Sequence, residues 1–417
     1  MKTFRRTVAA LAVLIAGSAV AAGNIAVTDV TWSQSGNRKA VIEYRLAGGE
    51  SAVVTIDVRT NGVSIGAQNF TSLAGDVNKV VAPDAAEKKR IVWNCVKDWP
   101  NRNIDSGVSV EVTAWALDNP PDYLVIDVTS GARNYYTSTN ALPEGGLAND
   151  IYKTTKLVMR RIPAVGKSFI MGAPTFEANY VTGGRELAHK VSFTNDFYMG
   201  IYEFTQKQYA LAFPGNTPAA EPVGDKLPVH SINYVSIRGS NDSYSWPQNG
   251  HAVSLAGNRA IGNLRNRSGM EIDIPTESQW EFACRAGTTT AYNTGLDTTD
   301  ETELAKFCWF AKNATEPQEV GQFAPNAWGL YDMHGNVWET CLDWYATDAT
   351  FHHNGAERVD PIGPLSSSEN ERVMRGGAYS QQVGICRTAF RGHVKTSQSS
   401  SSIPDIGFRV VCPAIAR

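Results

Sequence analysis

Residues 329–339, GLYDMHGNVWE, restrict what this chain can become more than any other stretch. Gly335 permits a backbone reversal that a residue with a Cβ resists, and Asp332 and Glu339 flank it with hard carboxylate oxygens. Carboxylates joined by inward-pointing carbonyls form an oxygen-only donor set, which suits calcium. The same residues also suit an Asx-type turn leading into a buried strand, with Trp338 as core filler and no ion. Both readings place a tight, sequence-specified turn at this point of the fold.

Four further motifs accompany the turn: FIMGAP at 169–174, IPTESQWEFACRAG at 274–287, RGGAY at 375–379 and IGFRVV at 406–411. Together the five resemble the formylglycine-generating enzyme family, also called the sulfatase-modifying factor family, over roughly residues 152–413. The resemblance implies an irregular α+β body of C-type-lectin-like architecture. It also implies a calcium site in which Asp332 and Glu339 give side-chain oxygens and Gly335 and Val337 give carbonyls, with Trp338 lining a substrate groove. A second calcium site found in some relatives would fall in residues 307–326, where Asn313 is the one obvious donor.

The family's chemistry, as the resemblance implies it, rests on two cysteines separated by four residues. They bind copper(I) and use oxygen to convert a substrate cysteine into formylglycine. Two thiolates suit a soft cuprous ion better than carboxylates or imidazoles do. Counted from Gly376, the first cysteine is Cys386 and the second position is Arg391, whose guanidinium cannot ligate a metal. The redox pair is therefore incomplete unless Cys308 or Cys341 substitutes from elsewhere.

The chain begins with three cations, an apolar run over residues 8–16 and small residues ending in Ala21 and Ala22, the pattern of a secretory leader spanning residues 1–22. The apolar run is too short to cross a hydrocarbon core of about 30 Å. Export to the periplasm or the extracellular space by the general route is the expectation, with no membrane span after cleavage. Without Lys2, Arg5 and Arg6 the balance is 35 basic against 41 acidic residues, or −6, which argues against a nucleic-acid partner.

Outside the cytosol, disulfides persist, and the chain has six cysteines. Six thiols allow fifteen complete pairings, so spacing alone does not select one. The family resemblance suggests Cys284 with Cys412. Cys341 with Cys386 is a second candidate, tying the turn to the RGGAY strand, against the alternative of separately buried free thiols.

Residues 24–119 read as an all-β sandwich of Ig-like type: IAVTDVTW, AVIEYRL, AVVTIDVRT, RIVWNCV and VSVEVTAWAL alternate as half-buried strands do. Trp32, Tyr44, Trp93 and Trp115 are its expected core. The turn-rich residues 118–122 mark a boundary, and a second domain runs over 123–417. Within it, Pro275 and Thr276 open a helix whose Trp280, Phe282 and Ala283 face the core. Residues 397–402 form a polar loop. His189 and His230 lie in strand-like contexts, and His352 and His353 are adjacent in a loop, so none makes a metal-spaced set.

Three functions follow. The first is an exported, diverged, calcium-stabilised scaffold that binds a protein or glycan, a sulfatase being one such protein. The second is a copper-dependent formylglycine-generating oxidase acting on exported sulfatases. The third is a different enzyme on the same fold, for which no complete set of acid, base and nucleophile is legible.

Overall fold

The structure, a computed structural model, describes residues 25–34, 38–66, 69–84, 86–100, 107–183, 185–216, 221–239, 259–346, 357–396 and 404–414. The leader, His352, His353 and the loop 397–402 lie outside the described residues. The chain divides into two compact units. One holds residues up to Tyr123 with Asn134–Asn149, and the other holds Leu124–Arg133 with Asp150–Ala414.

The first unit is β-rich. In one sheet Ala26–Gln34 pairs with Lys39–Ala47, which pairs with Lys89–Asn94, which pairs with Leu73–Gly75, all antiparallel. In the other, Ala52–Thr60 pairs with Val63–Ser64, Lys79–Val81 and Val108–Trp115. Side chains of both sheets, among them Ile42, Tyr44, Trp93, Val54, Val58 and Val112, share one apolar core. The buried tryptophan keeps its polar end satisfied, since Trp93 Nε1 donates to Asp98 at 2.8 Å.

Two expectations need correction here. Trp115 is only half-buried, because Val110, Val112 and Ala114 take the inward positions and strand period two turns the next side chain outward. Its indole N–H donates to Thr55 Oγ1 at 2.8 Å. The RIVWNCV run stops being a strand at Asn94, whose side chain accepts the Lys97 amide and caps a short helix, Cys95–Asp98.

The second unit mixes sheets with short helices. Phe197–Gly200 lies between Lys156–Ile162 and Val411–Pro413. A small sheet joins Ser168–Met171, His189–Ser192 and, in parallel, Arg358–Val359. In a third, Glu371–Arg375 lies between Gly392–Lys395 and Trp338–Trp344, and the latter pairs in parallel with Ile406–Gly407.

The Glu277–Arg285 helix sits at the centre of this unit, with all nine residues buried. Thr276 and Gln279 form a reciprocal capping box, which fixes the helix start. The helix is stitched to the Trp338–Trp344 strand: Leu342 N–H donates to the Pro275 carbonyl and Glu277 N–H to Asp343 Oδ2, both at 2.8 Å.

Candidate functional site

The GLYDMHGNVWE stretch enters the Trp338–Trp344 strand through a reversal in which Asp332, Gly335 and Asn336 all have left-handed φ angles. At Gly335 the requirement for glycine is steric as well as conformational. A Cβ there would lie 2.0 Å from the Trp309 carbonyl oxygen and 2.9 Å from the Cys308 sulfur. Gly335 N–H donates to the Gly376 carbonyl, and Tyr379 N–H donates to the Asn336 carbonyl, both at 2.8 Å, so turn and RGGAY motif are one hydrogen-bonded piece.

Three buried carboxyl groups gather behind this turn. Glu339 accepts from Arg409 through both oxygens (2.7–3.1 Å) and from Trp280 Nε1 at 2.7 Å. Glu203, absent from the sequence-derived set, accepts from Asn336 Nδ2 at 2.6 Å and from Val337 N–H at 3.1 Å. Asp332 accepts the Gly321 amide at Oδ2, whereas its Oδ1 is buried without a hydrogen-bond partner. Burial, and then the charges of Asp332 and Glu339, push the Glu203 carboxyl well above its usual range. Burial is also the main cause that raises Asp332 to about 6.

This arrangement decides which of the expected ligands suit a hard cation. Three N–H donors, Arg409 Nε shared by both oxygens, Arg409 Nη2 and Trp280 Nε1, already bind the Glu339 carboxylate, so Glu339 is the counter-ion of Arg409 and suits the ligand role less well than Asp332. Asp332 does fit, since its Oδ1 is buried without a hydrogen-bond partner and Gly335 and Val337 bring carbonyls in the same turn. Among the described residues, no group of three or more His, Cys, Asp or Glu side chains is arranged around a metal position. Asn313 is occupied locally: its Oδ1 accepts from Phe310 N–H and its Nδ2 donates to the Cys308 carbonyl, each at 2.9 Å.

The six cysteines are all free and all buried, so neither expected disulfide is present. Cys341 lies in the Trp338–Trp344 strand among Asp343, Glu277 and Arg375. Cys386 instead packs with Cys308, whose thiol contacts it within an apolar cluster that includes Tyr292, Phe310 and Val383. Cys284 lies near Thr388 Oγ1 (3.7 Å) and His334 Nε2 (3.9 Å), whereas Cys412 is in register with Tyr198 on a different strand. Burial raises the Cys284 thiol to about 12 and pushes those of Cys308, Cys341 and Cys412 well up.

Arg391, at the position where the redox pair needs a thiol, is buried and forked onto Glu277 at 2.5 and 2.7 Å. It also reaches the Ala346 carbonyl at 3.2 Å and lies 5.1 Å over the Tyr345 ring. Its partners differ wholly from those of Cys386, and a two-thiolate copper site does not fit this pair of positions. Trp338, the expected groove residue, is buried and packs at 6.0 Å on Phe390.

Arg375 and Arg409 of the motifs, and Arg387 outside them, are paired alike. Arg375 bridges Glu281 and Glu277, Arg387 binds Glu177 and Glu186, and Arg409 binds Glu339, all with buried partners. Losing one partner of such a buried charge pair is strongly destabilising. His334 is equally fixed: its ring faces the Cys386 carbonyl through Nδ1 at 2.8 Å and accepts the Asn293 amide through Nε2 at 3.1 Å. That pattern defines a neutral Nδ1–H tautomer, and burial lowers its pKa to about 4. His230 is buried with Nδ1 at 2.8 Å from the Pro404 carbonyl, and His189 Nδ1 is 2.9 Å from the Leu187 carbonyl, remote from a common centre.

A profile of the sulfatase-modifying factor enzyme 1-like domain matches residues 161–414. The chain belongs to the sulfatase-modifying factor family. It is 31% identical over 142 residues to the formylglycine-generating enzyme of Thermomonospora curvata, covering 32% of this chain and 45% of that protein. It is 27% identical over 292 residues to the formylglycine-generating enzyme of Mus musculus, covering 60% of this chain and 74% of that protein. The match thus spans less than half the length of the bacterial relative. Among solved structures, PvdO from Pseudomonas aeruginosa is similar with a TM-score of 0.49 and 23% identity, over 62% of this chain and 94% of that one. Within this sulfatase-modifying factor domain, no helix among the described residues is long and apolar enough to cross a membrane.

Sequence reasoning missed Glu203, Glu277 and Asp343, whereas Cys308, named there as a substitute thiol, does lie against Cys386. The paired carboxylates of the family motifs leave a trace, because a glutamate inside an apolar helical run such as ESQWEF demands a buried cation elsewhere.

Proposed function

We propose that this member of the sulfatase-modifying factor family is a non-oxidising binding scaffold. The observation that carries the reading is Arg391: the position where the family's redox pair calls for a second thiol holds a guanidinium locked on Glu277. A protein or glycan is its partner class, and exported sulfatases are candidate protein ligands by analogy with the named relatives. The leader-like start supports export to the periplasm or extracellular space. The finer architectural labels, Ig-like for the first unit and C-type-lectin-like for the second, belong to the same proposal.

Calcium stabilises the turn in this reading, held by Asp332 with the Gly335 and Val337 carbonyls. The ion supplies positive charge against the buried Asp332 and Glu203, while Arg409 serves Glu339.

One observation favours a second reading, a copper-dependent formylglycine-generating oxidase. Cys308 places a second thiol against Cys386, from a part of the chain that the family spacing does not use. Against it, both sulfurs are buried, so a substrate thiol has no access to them. Cuprous titration of the reduced protein with a competing chelator, combined with incubation in air with a CxPxR peptide, separates the two. The scaffold reading expects no tight copper and an unchanged peptide mass. Loss of the peptide thiol with gain of an aldehyde establishes the oxidase.

A further inference from the structure

In the second unit, the start of the Glu277–Arg285 helix, the Trp338–Trp344 strand and residues 358–365 enclose a cavity of about 260 Å³. For scale, an apolar cavity of roughly 150 Å³ admits benzene. Its polar lining comprises Asp343, Glu277, Ser278, His189 and Arg358, and its apolar lining includes Met171, Ile362 and Leu365. Leu365 is 85% exposed and Val359 54% exposed, so the rim offers apolar surface to solvent.

The charges at the floor are unequally matched. Glu277 is held by Arg391 and Arg375. The helix start is already capped by Thr276 and by Asp343 Oδ2, which leaves no donor pair for an anion there. Asp343 is 3% exposed; among the described residues it forms no salt bridge, and it accepts Glu277 N–H at Oδ2. Gly363 lies against the same side chain, where a Cβ would come within 2.9 Å of Asp343 Oδ1 and crowd the carboxylate.

We infer that this cavity binds a small primary amine with an apolar or aromatic body, its ammonium group paired with the Asp343 carboxylate and its body against Met171, Ile362 and Leu365. A buried carboxylate with no cation in direct contact gains from a ligand that brings one, and the apolar wall rewards the remainder of such a ligand. Asp343 faces Glu277 on the helix, Arg391 and Arg372 on neighbouring segments and Cys341 on its own strand, while His189 and Arg358 line the cavity. Burial first and Glu277 second raise the Asp343 carboxyl to about 7, so the amine competes with a proton near neutrality.

The test uses the full chain and three probes of matched shape: benzylamine, benzyl alcohol and benzoate, titrated at pH 8 and pH 6 with NMR or calorimetric readout. Benzylamine is expected to bind at least about tenfold more tightly than benzyl alcohol at pH 8, with benzoate weakest, and to weaken by about tenfold at pH 6. Asp343→Asn retains an acceptor for the Glu277 amide, and it is expected to abolish the preference for the amine while leaving benzyl alcohol binding intact. Leu365→Ser, at an exposed position that leaves the core untouched, weakens all three probes alike. Benzoate binding as well as benzylamine, a preserved amine preference in the Asn variant, or no binding of any probe at about 10 mM overturns the inference.

Discussion

Replacing Arg391 with cysteine would restore the thiol spacing of the family's copper pair, and the structure gives this substitution a definite and unfavourable outcome. The guanidinium donates to both oxygens of buried Glu277, at 2.5 and 2.7 Å, and Arg375 Nε lies 3.4 Å from the same carboxylate. Removing one partner of a buried pair costs about 3–5 kcal/mol. Arg375 moderates that penalty, which puts the expectation near about 3 kcal/mol. The long contacts to the Arg185 and Ala346 carbonyls, 3.3 and 3.2 Å, add at most about 1 kcal/mol. A loss of about 3 kcal/mol raises the open population on the order of a hundredfold. Because Cys308, Cys341 and Cys386 are fully buried in this unit, their labelling by a thiol reagent reports opening directly. The rate is expected to rise by that factor in Arg391→Cys, and much less in the double variant Glu277→Gln with Arg391→Met, which removes both charges. A cysteine variant whose core thiols are as protected as in the parent would refute the reasoning, and tight cuprous binding by such a variant would restore the oxidase reading.

Calcium is expected to raise the unfolding temperature relative to chelator, by the equivalent of about 2.7 kcal/mol at a hundred times the Kd. Asp332→Asn should remove that increment; no calcium effect in the parent protein excludes the ion from the turn. Gly335→Ala combines a left-handed φ with a Cβ set 2.0 Å from the Trp309 oxygen, so the turn must shift. A loss above about 3 kcal/mol in urea unfolding is expected, and a change below about 1 kcal/mol would contradict the packing described. His334 is neutral when folded down to about pH 4 and titrates near 6.5 when unfolded, so its contribution is present above pH 6.5 and lost as pH falls towards 4. That loss amounts to about 3 kcal/mol, read as the difference in stability between pH 7 and pH 4 for the parent against His334→Gln.

The elements that sequence pattern reveals here are those whose signal is local. Alternation locates the long strands of the first unit, and Pro275 with Thr276 locates the buried helix, because period and capping act within a few residues. The RIVWNCV run misleads because an Asn cap competes with strand propensity at Asn94. The site was less legible, for a physical reason. The carboxylates that receive the motif arginines lie far away in the chain, as with Arg375 and Glu281 at a separation of 94 residues. Short motifs record the cation and leave its counter-ion unspecified. The contact between Cys308 and Cys386 is likewise set by two turns that meet only in the folded unit, at Gly335 and Gly377.

The closing segment of the chain has a consequence for how the protein is made. Val411–Pro413 completes its sheet by pairing with Phe197–Gly200, Ile406–Gly407 pairs with the Trp338–Trp344 strand, and Arg409 neutralises Glu339. During synthesis the second unit therefore waits for almost its last residues before its sheets and charges are satisfied, whereas the paired strands of the first unit are complete by Trp115. Contacts of such long sequence separation form slowly, because a large loop must close before any of them contributes. Loss of residues 404–414 by truncation would leave a chain with exposed strand edges and an uncompensated buried carboxylate, a substrate for proteases and chaperones in place of a weakened version of the same protein.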